Sequence, residues 1–261
     1  MPRAQSESII LRTYNIGEQD RLVVLFTRDF GIIKGVAKGA RKFKSRFGSS
    51  LEPMSLVNAF YYEKEAKELV TISNCDLLES FFEIQTNFDI SVGLSYFAEL
   101  CQEFFPARAK DDRLFRLLLA CLQAIKAGAH FSFAGAYFEA WFLKICGVMP
   151  NFRTCRKCRQ PASQGGWLNP RRDGLMCPQC ARERKEAVCP ELNDFLDWTR
   201  KNPPSAEAEA PFSPLQIESI RKTFRAIVLH HMERVPKSIS TQFPNRLRSK
   251  KAQIPREKSK T

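Results

Sequence analysis

Histidine is scarce in this 261-residue chain. Only His130, His230 and His231 occur, and none stands in a recognisable nucleophile or metal constellation. There is no Gly-x-x-x-x-Gly-Lys-Ser/Thr loop, no Gly-x-Ser-x-Gly, no His-Glu-x-x-His and no dinucleotide fingerprint. These absences favour a binding protein over an enzyme. Acid–base carboxylates leave little trace in a sequence, so the case for binding must come from the residues that are present. No apolar run is long enough to span a bilayer. The start, MPRAQSESIILRTY, lacks a secretory apolar region, so no export is expected. The nine cysteines therefore read as reduced thiols or metal ligands in a cytoplasmic setting. Acidic residues are also few: 28 Asp and Glu stand against 41 Lys and Arg, a net charge of +13. The pI of about 9.5 points to nucleic acid or another anionic surface as partner.

The shortage of acid is sharpest between Asp29 and Glu52, where none occurs. Lys34, Lys38, Arg41, Lys42, Lys44 and Arg46 all fall in that gap. Cations along a bendable segment suit a phosphate backbone, because each phosphate neutralised releases condensed counterions. Gly35, Gly39 and Gly48 leave the backbone free to bend close to a ligand. Phe43 and Phe47 lie among the charges, where a base could stack on an aromatic face. The plainer alternative is a solvated basic loop with both rings turned into the core.

Residues 8–14, 21–27, 32–37, 54–62 and 68–75 read as strands, the first three rich in β-branched residues. Five short strands in the first 80 or so residues suit a small Greek-key barrel such as the OB-fold. The basic stretch is then the third strand plus its connection to the fourth. Gly17-Glu18-x-Asp20-Arg21, Thr27, Gly31, Lys38-Gly39-Ala40-Arg41, Ser45-Arg46 and Leu51-Glu52-Pro53 follow in order. Together they resemble the N-terminal signature of the bacterial RecO family, recombination mediators of the RecF pathway of DNA repair. The resemblance implies an OB-fold at the N-terminus. It also implies a protein that binds single- and double-stranded DNA and anneals complementary strands without a nucleotide cofactor. With RecR, such a protein helps load RecA onto DNA covered by single-strand-binding protein, in functional association with RecF and the bacterial nucleoid.

From about residue 77 the periodicity becomes helical. Residues 87–105, 111–127 and 132–146 predict three amphipathic helices, hence a bundle. The stripe Phe138, Trp141, Phe142 and Ile145 is assigned to core packing, and Cys75, Cys101, Cys121 and Cys146 to buried thiols. Cys155-Arg-Lys-Cys158 and Cys177-Pro-Gln-Cys180 then form two Cys-x-x-Cys pairs. Each tight turn delivers two sulfurs, and four sulfurs complete the tetrahedral shell of a structural Zn²⁺. Two unrelated surface pairs are the alternative, and Cys189 is a rival ligand. Arg153, Arg156, Lys157, Arg159, Arg171 and Arg172 are placed to offset the thiolate charge. Residues 191–201 predict a short helix, and Ser213-Pro214-Leu215-Gln216 starts a long one that should pack back on the bundle. His231 is expected on its buried face.

The expected class is thus α+β and multidomain. An OB-fold DNA-binding domain takes residues 1–80, and a helical domain takes 81–150 and 190–236. A zinc segment fills 151–189, and 237–261 form a basic, mostly disordered tail that adds DNA affinity or merely solubility. The RecO resemblance further implies a site in the helical domain for the acidic, Phe-ending tail of single-strand-binding protein. Arg108, Lys110, Arg113, Arg116 and Lys126 are its candidate rim residues, chosen by charge and location. The rival from another class is an RNA-binding enzyme or ribosome-associated factor that joins an OB barrel to a zinc module.

Overall fold

The computed structural model describes residues 3–63 and 68–232, so the basic tail from 237 lies outside the described residues. Five strands close a barrel: β1 (Arg3–Ile16), β2 (Asp20–Thr27), β3 (Gly31–Ala37), β4 (Leu56–Tyr62) and β5 (Val70–Glu79). Their order is β1-β2-β3-β5-β4, closed by β1 on β4, which is the OB-fold arrangement. β1 is longer than the sequence suggests because it pairs with both β2 and β4, with a shift of register between Ile10 and Arg12. Closure depends on the short parallel pairing of β3 with β5, where Gly35 faces Val70. A Cβ on Gly35 would meet side-chain carbons of Ile72 and Val70 at 2.7 Å, so this glycine serves close packing, not bending.

Parts of the strands read as continuous apolar runs because the helices cover part of the outer face of the barrel. Ile10, Val23, Leu25, Ile33, Val57, Ala59, Tyr61 and Ile72 fill its interior. Their neighbours Ile9, Leu11, Val24, Phe26, Ile32 and Leu56 point outward and join a second core with the helices. That core is built by α1 (Phe88–Phe104), α2 (Asp112–Lys126), α3 (Phe131–Ile145), α4 (Leu192–Lys201) and α5 (Pro214–His231). Each fully buried aliphatic or aromatic side chain contributes on the order of 2 kcal/mol through apolar burial. Phe97 stacks on Phe138 at 4.0 Å between ring centres, and Phe138 on Phe142 at 5.6 Å, as expected of a core stripe.

Local signals place the helix ends. Asn87 caps α1 and Asp111 caps α2, each accepting from two backbone N–H groups. Ser213 and Gln216 close the capping box that starts α5. α5 packs back on the bundle, where the fully buried Glu139 of α3 lies 3.4 Å from Arg221 and 3.3 Å from Arg225. His231, in contrast, is exposed. The last fully buried residue of α5 is Val228, and Met232 after the final turn still packs partly buried on the core, so His231 faces away from it.

Barrel and bundle are further tied by ion pairs, Arg12 with Glu99 at 2.7 Å and Arg28 with both Glu7 and Asp112 at 2.8 Å. The segment before α2 runs beside β3: Arg108 donates its N–H to the Ile32 carbonyl. Gly31, at φ 67°, leaves the space that the Ala109 backbone takes. Among the described residues no helix is long and apolar enough to cross a membrane.

Candidate nucleic-acid interface and metal centre

Residues 38–55 join β3 to β4 through a series of turns, with Gly39 and Gly48 at positive φ. The shape of this connection is fixed from below. Gly39 donates its N–H to Asp20 Oδ1 at 2.8 Å, and the Arg41 N–H reaches the Gln19 carbonyl at 2.9 Å. Arg41 Nη1 donates to the Gly17 carbonyl at 3.1 Å, and Arg21 pairs with Glu52 at 3.5 Å. The separate blocks of the sequence signature are therefore partners of one another. Phe47 and Leu51 drop into the barrel interior and anchor the far end.

The side chains left over point to solvent. Lys34, Lys38, Arg41, Lys42, Lys44 and Arg46 are all exposed, and none makes an ion pair with a described carboxylate. Five of them share the connection. Lys34 stands apart on β3, opposite Val24 on the outer face of the barrel. The two phenylalanines separate. Phe47 is buried at 3 % exposure under the Arg46 guanidinium, which lies 4.9 Å from its ring centre. Phe43 is fully exposed at 101 % between Lys42 and Lys44. A bare aromatic ring flanked by unpaired cations can stack a base while the cations hold phosphates.

The second candidate centre lies in a small sheet. β6 (Asn151–Cys155), β7 (Gly166–Leu168), β8 (Gly174–Met176) and β9 (Ala187–Val188) pair in the order β6-β8-β7-β9. Cys155 ends β6 and Cys177 follows β8, so each strand runs straight into a tight turn carrying two cysteines. The sulfurs of Cys155, Cys158, Cys177 and Cys180 all lie within 4.8 Å of one another. Cys158 Sγ is 3.8 Å from Cys177 Sγ. A tetrahedral shell with metal–sulfur bonds of about 2.3 Å sets its sulfurs about 3.8 Å apart, so this donor set fits a metal of zinc's size. Burial opposes ionisation of Cys155, but backbone N–H groups of Cys177, Cys158 and Lys157 outweigh it and bring the thiol down to about 6. Sharing of hydrogen bonds with Cys177, burial and the neighbouring thiols push Cys180 up to about 12. A divalent cation would remove that mutual hindrance. Cys189 is outside the group and packs against the helical core. Three arginines expected to balance the thiolates are engaged elsewhere: Arg153 with Asp197 at 2.7 Å, Arg156 with Asp173 at 2.9 Å and Arg172 with Glu186 at 2.7 Å.

A third feature lies between α2 and α3. A cavity of about 440 Å³ is floored by Leu117, Tyr137, Trp141 and Ile145 and rimmed by Arg113, Arg116 and Lys144. Arg113 and Arg116 also pair with Asp111 and Asp112 at 3.1 and 2.9 Å, through side chains about two-thirds exposed. The Lys144 ammonium is buried with no hydrogen-bond partner, 4.2 Å from the Trp141 ring centre. Burial, then Arg200, lowers its pKa against the opposing pull of Asp197. The other proposed rim residues are placed elsewhere: Arg108 pairs with Glu63, Lys110 with Asp29 and Lys126 with Glu79. Lys144 escapes a reading based on charge before and within α2. Its signal is the spacing of Tyr137, Trp141 and Ile145, which places it beside an aromatic stripe only partly used by the core.

Known proteins match along most of the chain. The family profile described as "Recombination protein O N terminal" matches residues 1–81, and "Recombination protein O C terminal" matches residues 85–239. A protein of Koribacter versatilis named "DNA repair protein RecO" is 34% identical over 230 residues, 88% of this chain and 94% of that protein. Its namesake in Anaeromyxobacter dehalogenans is 29% identical over 237 residues, 90% of this chain and 93% of its own. The closed barrel, the helical core on its outer face and the four-cysteine sheet are thus the architecture of a member of the RecO family, the DNA repair and recombination family to which this chain belongs.

Proposed function

We propose that the chain is a non-enzymatic recombination mediator that binds single- and double-stranded DNA through the β3–β4 connection and anneals complementary strands. The observation that carries this reading is the set of six exposed cations without carboxylate partners among the described residues, five of them on the connection that carries the bare ring of Phe43 and Lys34 on β3. Exposed cations gain little from surface ion pairs, so those without one are available to another anion. A surface for a polyanion leaves them free, because each phosphate bound releases a counterion. Neutralised strands also repel one another less, which suffices for annealing without a nucleotide cofactor.

The same reading makes the α2–α3 cavity the seat of the acidic, Phe-ending tail of single-strand-binding protein. The apolar floor suits the ring, and the unpartnered Lys144 ammonium with Arg113 and Arg116 suits carboxylates. RecR and RecA loading enter with the family reading, and zinc is the metal proposed for Cys155, Cys158, Cys177 and Cys180. Anisotropy titrations of unrelated single strands across salt concentrations test the central part. Six contacts at about 0.7 each set a limiting log–log slope near −4 for this stretch. Changing Arg41 and Arg46 together to Glu should weaken binding about equally for all sequences and slow annealing. Unchanged affinity and slope in the folded double variant would remove the connection from the DNA surface.

A further inference from the structure

The cysteine sheet is also basic, and apart from Arg184, which donates to the Pro178 carbonyl at 3.0 Å and lies over the Trp167 ring, its cations fall into two groups. Arg153, Arg156, Arg172 and Lys185 pair with Asp197, Asp173, Glu186 and Glu183. Lys157, Arg159, Arg171 and Arg182 are exposed and make no ion pair or side-chain hydrogen bond with the described residues. Two of this second group flank a cleft of about 310 Å³ beside Cys180. Its floor is apolar, with Leu168, Pro170 and Met176, and its walls carry Lys157 and Arg182. Arg171, the residue after the lining Pro170, is exposed. The one acid in the lining, Glu183, is paired with Lys185 at 3.1 Å. Asn169 is held by Asp173, donating to its Oδ1 at 2.6 Å and accepting from its N–H at 3.0 Å, so that wall is preformed.

We propose that this cleft is a second single-strand site. Lys157, Arg171 and Arg182 hold successive phosphates, and one unstacked base rests on the Leu168–Pro170–Met176 floor. A duplex cannot present a free base to a concave apolar floor, whereas a single strand can. The proposal rests on the DNA-binding reading above and extends it. With one strand on the connection and another at the cleft, a single molecule can hold both partners of an annealing reaction.

The test changes Lys157, Arg171 and Arg182 together to Gln in the full-length, metal-loaded protein. The Arg41→Glu/Arg46→Glu variant is measured in parallel. Removing three phosphate contacts should make the log–log salt slope for single strands shallower by about 2. Annealing of complementary oligonucleotides should slow while melting temperature and zinc content hold. If the triple variant loses its metal, the single variants Lys157→Gln and Arg182→Gln replace it, each expected to take about 0.7 off the slope. An unchanged slope and annealing rate overturns the proposal. So does a loss of zinc in the single variants with no change in slope, which would assign these cations to the thiolates. If only the connection variant weakens binding, the cleft fails and the proposed function stands. If neither variant weakens it, both fail.

Discussion

The β3–β4 connection and the four-cysteine sheet are both basic, yet they use their charge differently. In the connection, backbone hydrogen bonds from Gly39 and Arg41 and the buried rings and chains of Phe47 and Leu51 set the shape. Arg41 and Arg46 also touch this frame, through the Gly17 carbonyl and the Phe47 ring, and Lys38, Lys42 and Lys44 are exposed beside them. In the cysteine sheet, Arg153, Arg156 and Arg172 are committed to carboxylates, and the four sulfurs converge to within 4.8 Å of one another. Charge density alone does not separate ligand-directed cations from structural ones. On the reading proposed above, the presence or absence of a carboxylate within reach separates them.

The largest test of that contrast is metal removal. A structural metal contributes its binding free energy to folding, on the order of 10 kcal/mol for small zinc modules. Chelation, or Cys158→Ser, should therefore open residues 151–189 to proteolysis while the barrel stays resistant. Elemental analysis should find one zinc per chain beforehand, and zinc-free protein purified under reducing conditions would contradict the assignment. Next in size is the effect expected at the α2–α3 cavity, the proposed seat of an acidic tail. Lys144→Glu with Arg116→Glu should lower affinity for an acidic Phe-ending peptide at least tenfold and leave DNA binding intact. The same loss from charge reversal at Arg108 and Lys126 would place the site elsewhere. Phe43→Ala should cost about 1–3 kcal/mol of single-strand affinity, the usual worth of one stacked base. It should not move the melting temperature, because the ring is fully exposed. No effect on affinity would make Phe43 a bystander.

The smallest effect is a control outside both regions. Asp111 caps α2, and Asp111→Ala should cost about 1 kcal/mol of stability. Burial opposes its ionisation, but Arg113 and the N–H groups of Leu114 and Arg113 hold the carboxyl below its ordinary value. A depressed carboxyl stabilises the fold above its unfolded pKa and loses that contribution as pH falls through the folded one. The difference between wild type and Asp111→Ala should therefore shrink on acidification, and urea titrations at neutral and acid pH measure it.

Much of this was readable from the chain. β-Branched runs marked the strands, and the Ser213–Gln216 box marked the start of α5. Tight Cys-x-x-Cys spacing marked the metal set. What sequence left open depends on tertiary partners. Phe43 and Phe47 are the same residue four positions apart, and only the barrel interior decides which one is buried. Arg153 and Lys157 look alike until Asp197 is seen beside the first. Lys144 was hidden because Trp141 was assigned wholly to the core, whereas one face of it lines a cavity. His231 kept the helical spacing of a buried face, but it is exposed, with Nδ1 2.9 Å from the Ile227 carbonyl of its own helix.

The most direct measurement sets the two kinds of cation side by side. Salt-dependent single-strand binding and thermal melting are recorded for Lys42→Gln/Lys44→Gln and for Arg153→Gln/Arg172→Gln. If unpaired cations serve DNA and paired ones serve the fold, the first variant loses about 1.4 from the slope at an unchanged melting temperature. The second keeps its slope and melts lower. A first variant with the wild-type slope, or a second variant that loses slope without loss of stability, would contradict the account.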